Sequence, residues 1–325
     1  MWITYYTQSL LFLKFAKKTI SMNKTILKLA IPNIISNITI PLLGLVDMIL
    51  MGHLGSATYI GAIALGGTIF SVLYSFFSFL RAGTTGFTAQ AYGSNDKTET
   101  IYSLYRSICI GIPIIILILT LQNPIAKISQ FLLDGSDDVK SLALSYFYIR
   151  IWAAPANIML YCLNGWFVGM QNTKSPMFIA ILINVFNIIF SILFVIVLKQ
   201  NVTGVALGTV LAQYSGLTLA IILLIKDYRK YFIKIEKKIL FDFKKIKRFF
   251  KVNTDLMIRS FLLIISIAFF TNQSAKLGDN ILAINMILLQ SFYIFSYFTD
   301  GFAYAGEALT GRFIGSKDAV SLKKT

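Results

Sequence analysis

An all-α protein that crosses a membrane many times is the fold class the sequence predicts, and three observations predict it. Of 325 residues, 56% are hydrophobic and only 14% are charged, with a mean hydropathy of +0.72, more apolar surface than one soluble domain buries in a core. The apolar residues come in blocks of about 20, the length a helix needs to cross ~30 Å of hydrocarbon. The basic residues gather in particular connections between those blocks, as they do on the cytoplasmic side of membrane proteins.

In chain order, residues 1–25 form an N-terminal cytoplasmic or interfacial segment. Its short apolar stretch Leu10 to Leu13 is cut off by Lys14 and lacks both a charged region before it and a cleavage site after it, so it does not read as a signal peptide. Two readings stay open: translation from Met22, which directly precedes the first span, or an amphipathic helix lying on the membrane. Eight spans follow, at roughly 26–51, 58–83, 101–121, 142–165, 176–198, 203–225, 253–272 and 281–304. Ile112 to Leu121 and Ile188 to Leu198 are apolar nearly all round, which excludes the alternating strands of a β-barrel. The first six spans make one unit, 26–225. A basic linker, 226–252, is read as a cytoplasmic helix resting on anionic headgroups, each of its cations contributing on the order of 1 kcal/mol. The last two spans lie in 253–325.

The charge pattern orients the chain. The segments placed inside hold Lys14, Lys17, Lys18, Lys24 and Lys28, then Lys97 and Arg106, Lys174, eleven cations from Lys226 to Lys251, and finally Arg312, Lys317, Lys323 and Lys324. The outer connections hold Lys127, Lys140, Lys199 and Lys276. Both termini are therefore expected in the cytoplasm, in an inner or plasma membrane. A net charge of +16 distributed in this way points to lipid rather than to nucleic acid. Cys109 and Cys162 fall inside apolar blocks and imply no disulfide. The single histidine, His53, sits in a short outer loop, which rules out a Ser/His/Asp or multi-His metal site. No phosphate-binding loop ends in Gly-Lys-Ser/Thr, so the sequence predicts neither an enzyme nor a nucleotide-driven pump. Transport by such a chain would run on an ion gradient and need no cofactor.

An internal repeat is legible at an offset of about 222 residues. Leu54-Gly55, Ile60 to Ile63, a Phe/Tyr/Ser-rich stretch and Gly83 to Gly93 recur as Leu277-Gly278, Ile281 to Ile284, a second such stretch and Ala305 to Gly315. Repeated bundles with a site at their interface are the architecture of many secondary transporters.

Polar residues inside the spans are the informative ones, because lipid penalises them unless they are paired. Asn33, Asn37, Gly44 and Asp47 share a face of the first span within about 80°. A charged Asp at the helix centre costs roughly 2.5–3.5 kcal/mol on insertion scales. A carboxylate that is charged when wet and neutral when dry couples a proton to a conformational change; an Asp simply solvated at the outer helix end is the bland alternative. Pro32 and Pro41 favour kinks in the same span. The fourth span offers Asn157, Tyr161 and Asn164, the fifth Asn184, Asn187 and Ser191, and the sixth Thr209, Gln213 and Gly216. Each stripe alone is explained equally well by hydrogen bonds between helices; four together favour one wet cavity. Asp300 and Glu307 share a face of the eighth span, as a second coupling group or as residues near a cytoplasmic exit.

At these residues the chain resembles the multidrug and toxic compound extrusion (MATE) transporters, in their DinF-like branch. The likeness is carried by Ala30 to Asn37, Pro41 to Asp47 and Gly52 to Gly55. It continues through Phe79 to Gly86, Ala89 to Gly93, Asn164-Gly165, Gly169 to Pro176 and Gly301 to Leu309, covering about Asn23 to Asp318. The resemblance implies twelve helices in two six-helix lobes that alternate between outward- and inward-facing states, exchanging protons or sodium for drugs and other organic compounds. It matches Asp47 to the carboxylate held to bind the coupling cation or proton, with Asn187 and Thr209 networked to it. Ser191 stands where many members carry a second Asp, which shifts the load to Asp47. It also implies a complete six-helix N-lobe with only two helices of the C-lobe, hence a fragment or frameshift product, inactivity as it stands being one alternative. A lipid-linked precursor flippase, whose basic cavity would draw on Arg81, Arg150 and Arg259, is another; a non-transporting membrane protein is a third. The expected unit is a monomer in the bilayer handling a small-molecule cargo, with Asn33, Asn37, Asn157, Tyr161, Asn164, Asn184, Gln213 and Glu307 lining its cavity.

Overall fold

A computed structural model describes residues 22–39, 41, 46–47, 49–51, 57–132, 136–233, 235–277 and 279–325. Gly44, His53 and the segment 1–21, all of which the sequence analysis singled out, lie outside the described residues. Every regular element among the described residues is helical. The first span, α1, is helical over 22–39 and again at 41, 46–47 and 49–51. It is followed by α2 (Ala57–Phe77), α3 (Phe79–Gly93), α4 (Lys97–Thr120), α5 (Gln122–Leu132), α6 (Asp137–Arg150) and α7 (Ala154–Gly169). Then come α8 (Lys174–Ile192), α9 (Asn201–Tyr228), the short α10 (Lys237–Leu240), α11 (Phe243–Lys276), α12 (Asp279–Gly315) and α13 (Ala319–Leu322). Among the described residues, five stretches are long and apolar enough to cross a membrane: Thr58–Gly93, Lys97–Thr120, Lys174–Val197, Asn201–Tyr231 and Lys237–Thr271.

Local chemistry explains several boundaries. Asp96 starts α4 by accepting the Glu99 backbone N–H at 2.8 Å, which satisfies one of the orphan donors of a helix N-terminus. Pro155 sits at the start of α7, where its missing N–H costs nothing, and the turn Ile151–Ala153 joins α6 to α7 as a 3₁₀ helix. The helices outlast the apolar blocks: α3 runs to Gly93 because its last turns are buried through hydroxyls rather than hydrocarbon. Thr84 and Thr88 of α3 meet Ser107 and Ser103 of α4 at 2.6 and 2.7 Å.

One hydrophobic cluster, reaching from Met51 through Phe70, Phe147 and Trp166 to Phe249, holds most of the molecule together. Trp166, fully buried, donates its indole N–H to the Thr100 carbonyl at 2.8 Å, so α7 is fixed to α4 with no unpaired donor left behind. A smaller cluster of Leu29, Ala30, Ala305 and Leu309 joins α1 to α12.

The linker departs from expectation. Rather than one helix on the headgroups, it breaks into a 3₁₀ turn, Arg229–Tyr231, and the four-residue α10, and α11 begins already at Phe243. The cause is tertiary. Arg106, 4% exposed, donates to the carbonyls of Ile239 and Leu240, and Tyr102 Oη accepts the Glu236 N–H at 2.7 Å. Glu99 completes the clamp by pairing with both Arg106 and Lys245 at 2.6 Å.

The repeat legible in the sequence is present in the backbone. The α2–α3 stretch begins at Ala57 and ends at Gly93; α12 begins at Asp279 and ends at Gly315, each bound 222 positions on. Where α3 crosses α12, the two contacts are reciprocal. A Cβ on Gly93 would strike the Arg312 carbonyl, and a Cβ on Gly315 would strike the Gln90 carbonyl. Only glycine permits so close an approach of two backbones.

Candidate functional site

Asp47 is carried by the C-terminal part of α1 and is 2% exposed. It is not an acid solvated at a helix end. Ser191 of α8 donates its hydroxyl to Asp47 Oδ1 at 3.5 Å, a long contact. One helical turn earlier on α8, Asn187 donates its Nδ2 to Thr209 Oγ1 of α9 at 3.0 Å, and Thr209 donates onward to the Val205 carbonyl at 2.9 Å. Asn187, Ser191 and Thr209 are all buried. The glycine before Thr209 makes this possible, because a Cβ on Gly208 would press within 2.9 Å of the Ser191 amide and hydroxyl. Immediately beyond Ser191, α8 widens into a π turn, Leu193–Val197, a form that concentrates at functional sites.

The acid also has a basic neighbour. Arg150, at the end of α6, acts electrostatically on Asp47, donates to Tyr146 Oη at 2.8 Å and lies 4.7 Å above the Phe70 ring. Tyr146 in turn faces Asp47 and Thr209. Carboxylate, guanidinium, phenol, amide and two hydroxyls thus meet between α1, α6, α8 and α9. Sequence reasoning named Arg150 only among the arginines that a flippase's basic cavity would draw on, and overlooked Tyr146. The signal available was scarcity: a buried charge needs an opposite charge, and few cations lie within the spans.

The remaining stripe residues do not join that cluster. Tyr161 of α7 donates its hydroxyl to the Tyr74 carbonyl at 3.2 Å, and its electrostatic neighbours are Arg81 and Tyr304. Glu307 of α12 likewise interacts with Arg81. A second group, between α3, α7 and α12, therefore holds Arg81, Tyr161, Tyr304 and Glu307. Asn37 is tied to α12, donating to the Tyr297 carbonyl at 3.3 Å, whereas Asn33 Nδ2 is buried without a partner among the described residues. Asn157 and Asn184 turn their Nδ2 groups to carbonyls of their own helices, Ala153 at 3.4 Å and Ala180 at 2.8 Å. The Oδ1 atoms of Asn164, Asn184 and Asn187 are buried with no partner among the described residues. Gln213 is half-buried on α9, but Gly216 of the same stripe packs against Ile183 of α8, so that end of the face is a helix contact rather than a cavity wall.

Comparison with known proteins fits this arrangement. The family model MatE matches residues 32–193, which include Asp47, Asn187 and Ser191. The chain is 36% identical over 302 residues to "DNA damage-inducible protein F" of Escherichia coli (strain K12), covering 93% of this chain and 66% of that one. It is 24% identical over 315 residues to the "Probable multidrug resistance protein NorM" of Photorhabdus laumondii, covering 93% and 67%. Among solved structures it is similar to the Vibrio cholerae MATE transporter VcmN in the bent form, with a TM-score of 0.84 at 20% identity over 95% of this chain and 69% of that one. A multidrug resistance MATE family transporter of the MOP superfamily, in an outward-facing conformation, superposes with a TM-score of 0.81 at 21% identity, covering 93% and 68%. The chain spans about two thirds of the length of the Escherichia coli relative and 56% of the Arabidopsis thaliana protein DETOXIFICATION 44. With the helical fold, the repeat and the quoted motifs in agreement, the chain belongs to the MatE family, a family of membrane transporters rather than of enzymes.

Proposed function

We propose that this chain belongs to a secondary active antiporter that exports drugs or other small organic compounds in exchange for protons or sodium, with Asp47 as the coupling group. The observation that carries the reading is the burial of Asp47 against Ser191 and Arg150, beside the bonded pair Asn187 and Thr209. A buried carboxylate exchanging a proton or cation changes its charge in a low-dielectric site, so the favoured packing of α1, α6, α8 and α9 differs between its two states. In this reading residues 26–225 act as one lobe and 253–325 as part of a second, and the cargo passes between them. The relatives' names support the export of drug-like compounds. The flippase reading is weaker, because Arg150 is engaged with Tyr146 and Phe70 and so is not free to line a basic cavity.

The test is export of a fluorescent dye from proteoliposomes holding the full chain under an imposed proton or sodium gradient. Asp47→Asn is expected to lower gradient-driven export at least tenfold while the protein stays folded. Export by Asp47→Asn equal to the parent's removes Asp47 from coupling, and no gradient-driven export by the parent removes the antiport reading for this chain. Exchanging one gradient for the other identifies the ion.

A further inference from the structure

Among the described residues, no group accepts a hydrogen bond from the Arg81 guanidinium. Arg81 lies in the first turn of α3, half-buried, at the place where α3, α7 and α12 come together. Its guanidinium carbon lies over the Tyr304 ring, 3.7 Å from the centroid, close enough that the planar group stacks on the ring. That contact occupies the flat face and leaves the N–H edge free, which is the part that binds carboxylate and phosphate oxygens. Among the described residues the guanidinium makes neither an ion pair nor a hydrogen bond. Its charged neighbours, Glu307 and Asp300, act on it from beyond ion-pair distance, and Asp300 is shared with Arg259. The contrast with Arg106 and Arg150 is sharp. Arg106 uses its edge on Glu99 and two carbonyls, and Arg150 donates to Tyr146. A guanidinium within a span, stacked in place and carrying an edge that no described residue takes up, is suited to an anionic oxygen from outside the described residues.

We propose that Arg81 is a cargo-binding residue that receives a carboxylate or phosphate group of an amphipathic organic molecule, with the Tyr304 and Tyr161 rings against the apolar body. Glu307 limits the negative charge tolerated, so a zwitterion or monoanion is preferred over a polyanion. The inference deepens the transport reading above and rests on it, since it names the chemistry of the cargo at the interface of the repeated units.

The experiment measures binding to the full chain in dodecyl maltoside micelles, by fluorescence anisotropy of rhodamine B and of its ethyl ester, which differ only in a free carboxylate. The parent is expected to prefer rhodamine B. Arg81→Gln should weaken rhodamine B binding about tenfold and leave the ester within about twofold, while Glu307→Gln should tighten rhodamine B. Equal losses of both dyes in Arg81→Gln indicate a structural arginine and overturn the proposal, as does no loss of either. Should Arg81→Gln fail to fold, competition on the parent decides. Displacement of rhodamine B by decanoate or decyl phosphate, but not by decyltrimethylammonium, supports the site, and whichever anion competes better identifies the preferred oxygen group. Displacement by the cation alone overturns it. If the ester binds the parent as well as rhodamine B does, only the Arg81 assignment falls; if neither dye binds, the cargo reading falls with it.

Discussion

The stretch from Ala57 to Gly93 and its counterpart from Asp279 to Gly315 agree at their ends and disagree in their middles. Each ends in a left-handed residue two positions past its final glycine, Asn95 at φ 57° and Lys317 at φ 57°. Each is followed by an aspartate that caps the next helix: Asp96 accepts the Glu99 N–H at 2.8 Å, and Asp318 accepts the Ser321 N–H at 2.9 Å. In the middle the first copy breaks at Ser78 into α2 and α3, whereas α12 runs unbroken through Asp300 at the matching position. The charges diverge as well: Arg81 matches Ala303, Thr85 matches Glu307, and Glu99 matches Ser321. Backbone is repeated where the two copies meet each other, because reciprocal contact demands the same shape from both. Side chains have diverged where they face α7, the linker and the space between the copies.

The largest expected effect tests that divergence at the linker. Glu99→Gln leaves the buried Arg106 guanidinium without its carboxylate and should cost about 3 kcal/mol, whereas Ser321→Ala, at the matching position, should stay within about 0.5 kcal/mol. Chemical unfolding in detergent measures both, and faster tryptic cleavage at Lys237 and Lys238 should accompany the first alone. The crossing of α3 and α12 comes next. Gly93→Ala and Gly315→Ala each force a methyl against a carbonyl that cannot turn away, an overpacking cost of ~1–3 kcal/mol. The two values should agree, because the contacts are mirror copies; a large inequality would break the symmetry argument. Asp96→Ala and Asp318→Ala each remove one cap bond and should each cost about 1 kcal/mol. The smallest effect separates the two left-handed residues. Lys317→Gly should stabilise by up to ~1 kcal/mol and Asn95→Gly by less, since asparagine already tolerates that conformation better than lysine. Equal gains would show that the two turns are strained alike.

Much of this was legible in the sequence because hydropathy and repetition are local or periodic signals. Five of the eight expected spans, those beginning near 58, 101, 176, 203 and 253, coincide with stretches apolar and long enough to cross, and the offset of the repeat recurs in the helix bounds. The expected span 142–165 is instead divided by the 3₁₀ turn Ile151–Ala153, and burial of Asp47 was one of two readings left open. Partnerships across the fold were not legible. Nothing near Arg106 announces that it bonds to carbonyls more than a hundred residues away, and this tertiary demand is what breaks a linker whose Lys, Phe and Ile pattern reads as one helix. The asparagine stripes lie on α7 and α8, yet Asn157 and Asn184 satisfy their amides on their own helices. Periodicity shows where a side chain starts and not which acceptor it finds. The position of Ser191 was read as a missing acid, and the structure places its hydroxyl against Asp47 as a neutral donor.

The wide turn after Ser191 has a consequence of its own. Leu198 donates to the Leu193 carbonyl at 3.0 Å and Gln200 to the Phe194 carbonyl at 2.9 Å, so this loop of helix carries one amino acid more than an ordinary turn would. Removing Ile196, which is 57% exposed, would tighten the coil and leave the residues upstream, Asn187 and Ser191, where they are. The residues after it that lead into α9, by contrast, would be turned by about 100° relative to α8, so that shortening the chain by a single exposed side chain would re-aim everything beyond it.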